Sequence, residues 1–263
     1  MSDQNPYAPP SAEVRDAAPA SDSAETLIPE GRTVAAGRGF GWFVDAWQLF
    51  KQQPMMWWLV ILITIGVMMV TSLIPLVNIV VGVAFPIITA GFASCATSLR
   101  TKGSFEVGQI FDGFRQQTGQ LLLIGVIYIG AIFAIGAIVA IVVGTSGLFG
   151  ALFGGSVSLA AMAGTGIGMA LLFFVVIMLL ATSVIFAPYL VFEQKMSATQ
   201  AMQASVKGSF KNILAGLFGM LSYIVLAIAA TIPLGLGWLA LFPVLILTVY
   251  VAYRDIFIET GNG

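Results

Sequence analysis

Phe40-Gly41-Trp42-Phe43-Val44-Asp45-Ala46-Trp47-Gln48-Leu49-Phe50-Lys51-Gln52-Gln53 opens the stretch that decides the fold. Two long apolar runs follow it, with no charged residue between Lys51 and Arg100. Phe40, Phe43, Trp47 and Phe50 step by helical spacing along one face, and Asp45, Gln48 and Gln52 lie opposite. The spacing predicts a helix lying in a membrane interface, aromatics toward the acyl chains and Lys51 at headgroup level. Pro54 turns the chain into a first span over 57–76, with Trp57 and Trp58 as interfacial anchors. Pro75 and Asn78 mark the reversal into a second span over 79–99. Each run has about 20 residues, enough to cross ~30 Å of hydrocarbon.

The same order recurs downstream. Val107, Ile110, Phe111 and Phe114 form an amphipathic stripe before a third span over 120–143 and a fourth over 167–192. Gly136, Ala140 and Gly144 give the third span a small-residue face suited to close helix approach. The uncharged Gly/Ser/Ala-rich stretch 145–166 reads as an outer loop, with a short interfacial or re-entrant piece over 148–153. Met202, Val206 and Phe210 edge a third amphipathic helix, ahead of spans over 212–231 and 237–253. Pro86, Pro188 and Pro243 each fall in the second span of their unit, where proline costs a backbone hydrogen bond that neighbouring helices must re-satisfy. The expected fold is therefore an all-α polytopic bundle of six transmembrane helices, as three units of interfacial helix, span and span.

Composition agrees. Apolar residues make up 59% of the chain and charged ones 9%, against ~25% charged in a typical soluble domain. Such a chain cannot cover a core with polar surface, so hydrocarbon is its solvent. The basic residues Arg32, Arg38, Lys51, Arg100, Lys102, Arg115, Lys195, Lys207, Lys211 and Arg254 fall on alternate loops, and the other loops carry none. By the positive-inside rule both termini are cytoplasmic, in a bacterial inner membrane.

Residues 1–31 carry six acids, Asp3, Glu13, Asp16, Asp22, Glu25 and Glu30, against Arg15 alone. With little to bury, residues 1–38 read as a disordered cytoplasmic leader ahead of a membrane domain over 39–263. Within it, Asn5-Pro6-Tyr7-Ala8-Pro9-Pro10 favours the extended conformation that aromatic grooves recognise, so Asn5, Pro6, Tyr7, Pro9 and Pro10 form a candidate motif for a protein partner.

Chemistry is sparse. Histidine is absent and Cys95 is the sole cysteine, which removes the commonest general base, the commonest transition-metal ligand and any intramolecular disulfide. No phosphate-binding loop, nucleophile elbow or metal spacing occurs, no ionisable residue falls inside an expected span, and no basic stripe suits nucleic acid. No cofactor is expected. Lys51, Arg100, Lys102, Arg115, Lys195, Lys207 and Lys211 could form a collar for anionic lipid headgroups. Glu193 and Asp255 read as exposed partners of Lys195 or Arg254, worth ~0–1 kcal/mol each. Three functions fit this inventory. The first is a non-enzymatic lipid- or partner-binding accessory or scaffold protein. The second is a channel or carrier for a neutral or apolar solute, lined by Asn78, Thr182, Ser183 and Tyr189. The third is a lipid-headgroup enzyme that would need Glu193, Asp112 and Asp255 to converge.

The leader Asn5-Pro6-Tyr7-Ala8-Pro9-Pro10, together with Trp47-Gln48-Leu49-Phe50-Lys51, resembles an uncharacterised proteobacterial family of multipass inner-membrane proteins. The resemblance covers essentially the whole chain. Glu193 to Leu217, including Ala201-Met202-Gln203-Ala204-Ser205 and Lys207, looks like the membrane domain attached to some glycerophosphodiester phosphodiesterases. Their catalytic domain has no counterpart in this sequence. The resemblance thus implies a bundle with interfacial helices before pairs of spans, and neither phosphodiesterase activity nor functional residues.

Overall fold

The computed structural model describes residues 25–153 and 159–259. Among them six helices are long and apolar enough to cross a membrane. After a two-residue strand β1 (Thr26–Leu27) come α1 (Arg38–Gln52), α2 (Pro54–Ser72) and α3 (Pro75–Lys102). A 3-10 helix (Val107–Phe114), α4 (Thr118–Phe153), α5 (Leu159–Ile185) and α6 (Ala187–Gln194) follow. The chain closes with α7 (Ala198–Lys211), α8 (Ile213–Thr231), α9 (Trp238–Phe257) and β2 (Ile258–Glu259), which pairs antiparallel with β1.

Burial separates inner helices from outer ones. In the membrane-length windows, 44% of α3 and 50% of α9 are buried, against 11% of α2 and α4. Every residue from Ala187 to Phe192 in α6 is also buried. The inner helices α3, α6 and α9 meet around Leu99, Tyr189, Leu190, Tyr250 and Tyr253, with Tyr189 stacked on Tyr253 at 5.3 Å between centroids. Outer helices leave their leucines, isoleucines and phenylalanines exposed, as lipid solvation allows.

The short amphipathic helices lock this core in a cyclic order. The 3-10 helix packs on α3, α7 packs on α5 and α6, and α1 packs on α9 and α8. Each therefore docks on the end of the preceding pair of spans, and α1 closes the ring against the last pair. The approaches are too tight for a side chain. A Cβ on Gly39 would fall 2.0 Å from the Ala215 carbonyl oxygen, and one on Gly91 would fall 1.9 Å from that of Ile110.

Several expectations are corrected. The stripe of α1 is not one aromatic face. Gly39, Trp42, Phe43, Ala46 and Phe50 are buried against protein, while Phe40 and Trp47 point outward. In α7 the small residues Ala198, Ala201, Ala204, Ser205 and Gly208 are buried, and Phe210 is exposed. Apolar residues facing lipid obey no inward rule, so a hydrophobic stripe cannot tell the protein side from the lipid side. For the same reason the Gly136 and Gly144 face of α4 carries no close contact, since a Cβ on either meets nothing within 4 Å. The close approach falls at Gly125, against the Val83 carbonyl.

Part of the expected outer loop over 145–166 is helix, because α4 runs to Phe153 and α5 begins at Leu159, and residues 154–158 of that loop lie outside the described residues. Neither helical part contains proline, and scattered glycines at ~1 kcal/mol each do not break an apolar helix in the absence of competing water. The fourth span, by contrast, is not continuous. It breaks at Phe186, and Pro188 lies in the first turn of α6. Ser205 of α7 enters this break, donating to the Thr182 carbonyl at 2.6 Å and accepting from the Phe186 N–H at 3.1 Å. Those two groups would otherwise bond each other as a helical i, i+4 pair.

The expected leader over 1–38 is corrected in its described part. Residues 25–37 form a strap across the charged end of the bundle. Ile28 N–H donates to the Phe257 carbonyl at 2.8 Å and Arg32 N–H to that of Ile256 at 2.8 Å. Side-chain bonds that a reading for apolar burial does not detect supply the rest of the attachment. The motif Asn5, Pro6, Tyr7, Pro9 and Pro10 lies outside the described residues.

Candidate functional site

The inner helices α3, α6 and α9 deliver polar side chains to their charged ends. There a cleft of about 740 Å3 is lined by residues including Glu25, Thr97, Arg100, Glu193, Lys195 and Arg254. A second cleft of about 400 Å3 shares Arg100 and Arg254 and adds Arg32, Arg38, Asp45 and Asp255. Arg100 comes from the last turn of α3, which Gly103 ends in a left-handed conformation with its N–H on the Leu99 carbonyl. Lys195 caps α6. Its ammonium donates to the Phe192 carbonyl at 2.8 Å and to Gln116 Oε1 at 3.2 Å, and lies over the Phe192 ring. A cation at a helix C-terminus is favoured by the unpaired carbonyls there.

One carboxylate from the strap closes the cleft. Glu25 Oε1 accepts from Arg100 Nη2 at 2.7 Å and from Arg254 Nη2 at 2.6 Å. Partial burial by itself would raise the Glu25 pKa, but the hydrogen bonds and charges of Arg254 and Arg100 outweigh it and hold the carboxyl below its ordinary range. A depressed carboxylate contributes its attachment in full above its ordinary pKa and loses it as pH falls through the lowered one. Acidification into that window should therefore speed hydrogen exchange at the β1 amides while exchange in α9 stays slow. Uniform exchange rates would exclude this.

Deeper in the cleft, Glu193 accepts a hydrogen bond from Thr97, so the Tyr250 hydroxyl, 2.9 Å from Thr97 Oγ1, donates to it. Glu193 is thus a half-buried member of a Thr97, Tyr250 and Tyr253 cluster, and the expectation of an exposed Glu193–Lys195 or Glu193–Arg254 pair is corrected. Asp255 is corrected likewise. Its carboxylate accepts from Arg32 Nη2 at 3.2 Å, Arg38 Nε at 2.7 Å and the Trp42 indole at 2.9 Å, while Arg254 goes to Glu25. The Asp255 hydrogen bond raises the Arg38 pKa above its ordinary value, against the opposing effect of burial. Asp112 accepts from Ser94 at 2.6 Å and pairs with Arg115. The three carboxylates each have their own partners and do not converge.

The collar is only partly gathered. Arg100 and Lys195 meet at the cleft, joined by Arg254, which the expected collar did not include. Lys207 and Lys211 share Glu30 instead, at 2.9 and 3.8 Å, and Lys207 holds that exposed carboxyl below its ordinary range. Arg115 pairs along its own turn with Asp112, and Lys51 and Lys102 make no ion pair among the described residues. The channel candidates do not line one path. Asn78 is exposed, Tyr189 is fully buried in the aromatic core, and Ser183 bonds the Leu180 carbonyl of its own helix. Among the described residues there is no cluster of acids, cysteine or histidine able to hold a metal ion.

Fold and site together define an integral membrane protein, an all-α polytopic bundle with a polar cleft at its charged end. Comparison of this chain with models of protein families, with curated proteins and with solved structures finds no match.

Proposed function

We propose that this chain is a non-enzymatic accessory or scaffold protein of a bacterial inner membrane that binds anionic lipid headgroups at its cytoplasmic end. The observation that carries this reading is the meeting of Arg100, Arg254 and Lys195 around one cleft at the end of the bundle. Basic residues gather at the cytoplasmic end of membrane proteins, which puts both termini and the cleft in reach of inner-leaflet headgroups. Each basic group near such a surface contributes about 1 kcal/mol of attraction to anionic lipid. Glu193, Asp112 and Asp255, which a headgroup enzyme would bring together, each lie with separate partners, which favours a binding role over that chemistry. The leader motif around Tyr7 remains a candidate docking segment for a protein partner.

The test uses the full chain in nanodiscs of phosphatidylglycerol or phosphatidylcholine, followed by native mass spectrometry. The wild type should retain phosphatidylglycerol selectively. An R100Q/R254Q variant should lose roughly tenfold or more of that affinity. Equal retention of both lipids, or no change in the variant, would refute the assignment.

A further inference from the structure

Resting on the lipid-binding reading, we infer that Glu25 is a built-in competitor. Its carboxylate occupies the Arg100–Arg254 position that the phosphate of an anionic headgroup takes, so the strap must lift for the site to fill.

Two guanidinium groups converge on a single oxygen, Glu25 Oε1, at 2.7 and 2.6 Å. Arginine forks match phosphate as well as carboxylate, and a phosphate brings more acceptor oxygens to the same donors. Lys195 faces the same cleft and uses two of its three N–H donors, on Phe192 and Gln116, which leaves one for a ligand. With Glu25 in place, three basic side chains of the cleft face two carboxylates. With Glu25 lifted they face Glu193 alone, and the excess positive charge calls for an anion.

The strap is held by different contacts at its two ends. The base is held by the Ile28 and Arg32 backbone bonds to α9 and by Arg32 on Asp255. Gly31 adds a close fit. It has φ +67°, and a Cβ there would lie 2.9 Å from Ile256 Cγ2 and 3.2 Å from the Gly208 Cα. The Glu25 end is attached through the two-residue strand β1 and the Glu25 ion pairs. A two-stranded ribbon this short is marginal by itself, and the Glu25 side chain is 38% exposed, where ion pairs are weak. Glu25 is therefore the contact that a stronger anion displaces first.

The experiment measures retention of phosphatidic acid and phosphatidylglycerol by the full chain in phosphatidylcholine nanodiscs, for wild type, E25Q, E30Q and R100Q/R254Q. A parallel arm adds inorganic phosphate without anionic lipid. E25Q should bind anionic lipid roughly three- to tenfold more tightly than wild type. E30Q frees Lys207 and Lys211 outside the cleft instead and should gain clearly less than E25Q. Unchanged or weaker binding by E25Q, with R100Q/R254Q still losing affinity, overturns the competition and leaves the lipid-binding reading standing. An equal gain in E30Q overturns it too, because the effect would then be general charge. If R100Q/R254Q binds as wild type, the underlying reading fails and the competition with it. A response of E25Q to inorganic phosphate but not to lipid overturns the lipid as the displacing anion.

Discussion

Replacing Ser205 with alanine should destabilise the bundle by about 3 kcal/mol, because two buried backbone groups lose their partner at once. The Ser205 hydroxyl fills the gap between the Thr182 carbonyl and the Phe186 N–H where the fourth span breaks ahead of Pro188. Ser205 is fully buried, so water cannot readily replace the hydroxyl. The volume change is one oxygen atom, which makes the loss chiefly polar and not a cavity effect. Thermal unfolding in detergent, followed by tryptophan fluorescence, should show a midpoint lowered by about 6–12 °C. An unchanged midpoint would mean that the break re-forms its own helical bond when Ser205 is absent. Hydrogen exchange at Phe186 separates the cases, because protection is lost in the first and retained in the second.

Removing the Asp255 side chain as D255A is the second large effect expected, again about 3 kcal/mol. This carboxylate joins three parts of the chain, accepting from Arg32 of the strap, Arg38 at the start of α1 and Trp42 within α1. The side chain is 15% exposed, whereas its arginine partners are about 40% exposed. The cost therefore sits mainly in the buried Trp42 N–H and in unpairing Arg38, with the Arg32 contact screened by solvent. The loss should be local in character. The strap and α1 should exchange amide hydrogens faster while α3 and α6 remain protected. D255N keeps one acceptor and should recover part of the stability. Equal destabilisation by the two substitutions would instead assign the effect to packing around Trp42.

Much of the fold was legible in the sequence for a simple reason. Crossing hydrocarbon demands about 20 apolar residues and a self-satisfied backbone, so the runs after Pro54, Pro75, Gln117, Asn212 and Gly237 announce themselves without knowledge of neighbours. The parts 145–153 and 159–166 misled because glycine and serine mark loops in water, whereas an apolar run without proline continues as helix. Gly39 and Gly91 were not distinguishable from Gly136 and Gly144, because close approach is a property of the neighbouring backbone. Glu193 looked like an exposed charge at a span end. Its true setting depends on Thr97 and Tyr250, which lie 96 and 57 positions away, and neither helix signals the other in sequence.

By itself the sequence determined the class of the protein, the number and approximate bounds of its spans, and the short amphipathic helix before each pair. These follow from local composition and period, which hydrocarbon and interface read residue by residue. Only the tertiary structure decided which spans are inner, how the amphipathic helices close a ring, and which basic residues meet. It also decided that the strap docks, through Arg254 on Glu25 and Arg32 on Asp255 across 229 and 223 residues of sequence. A charge in the sequence has no partner until the fold supplies one. At this end of the bundle the fold supplies Glu25 to both arginines of the cleft.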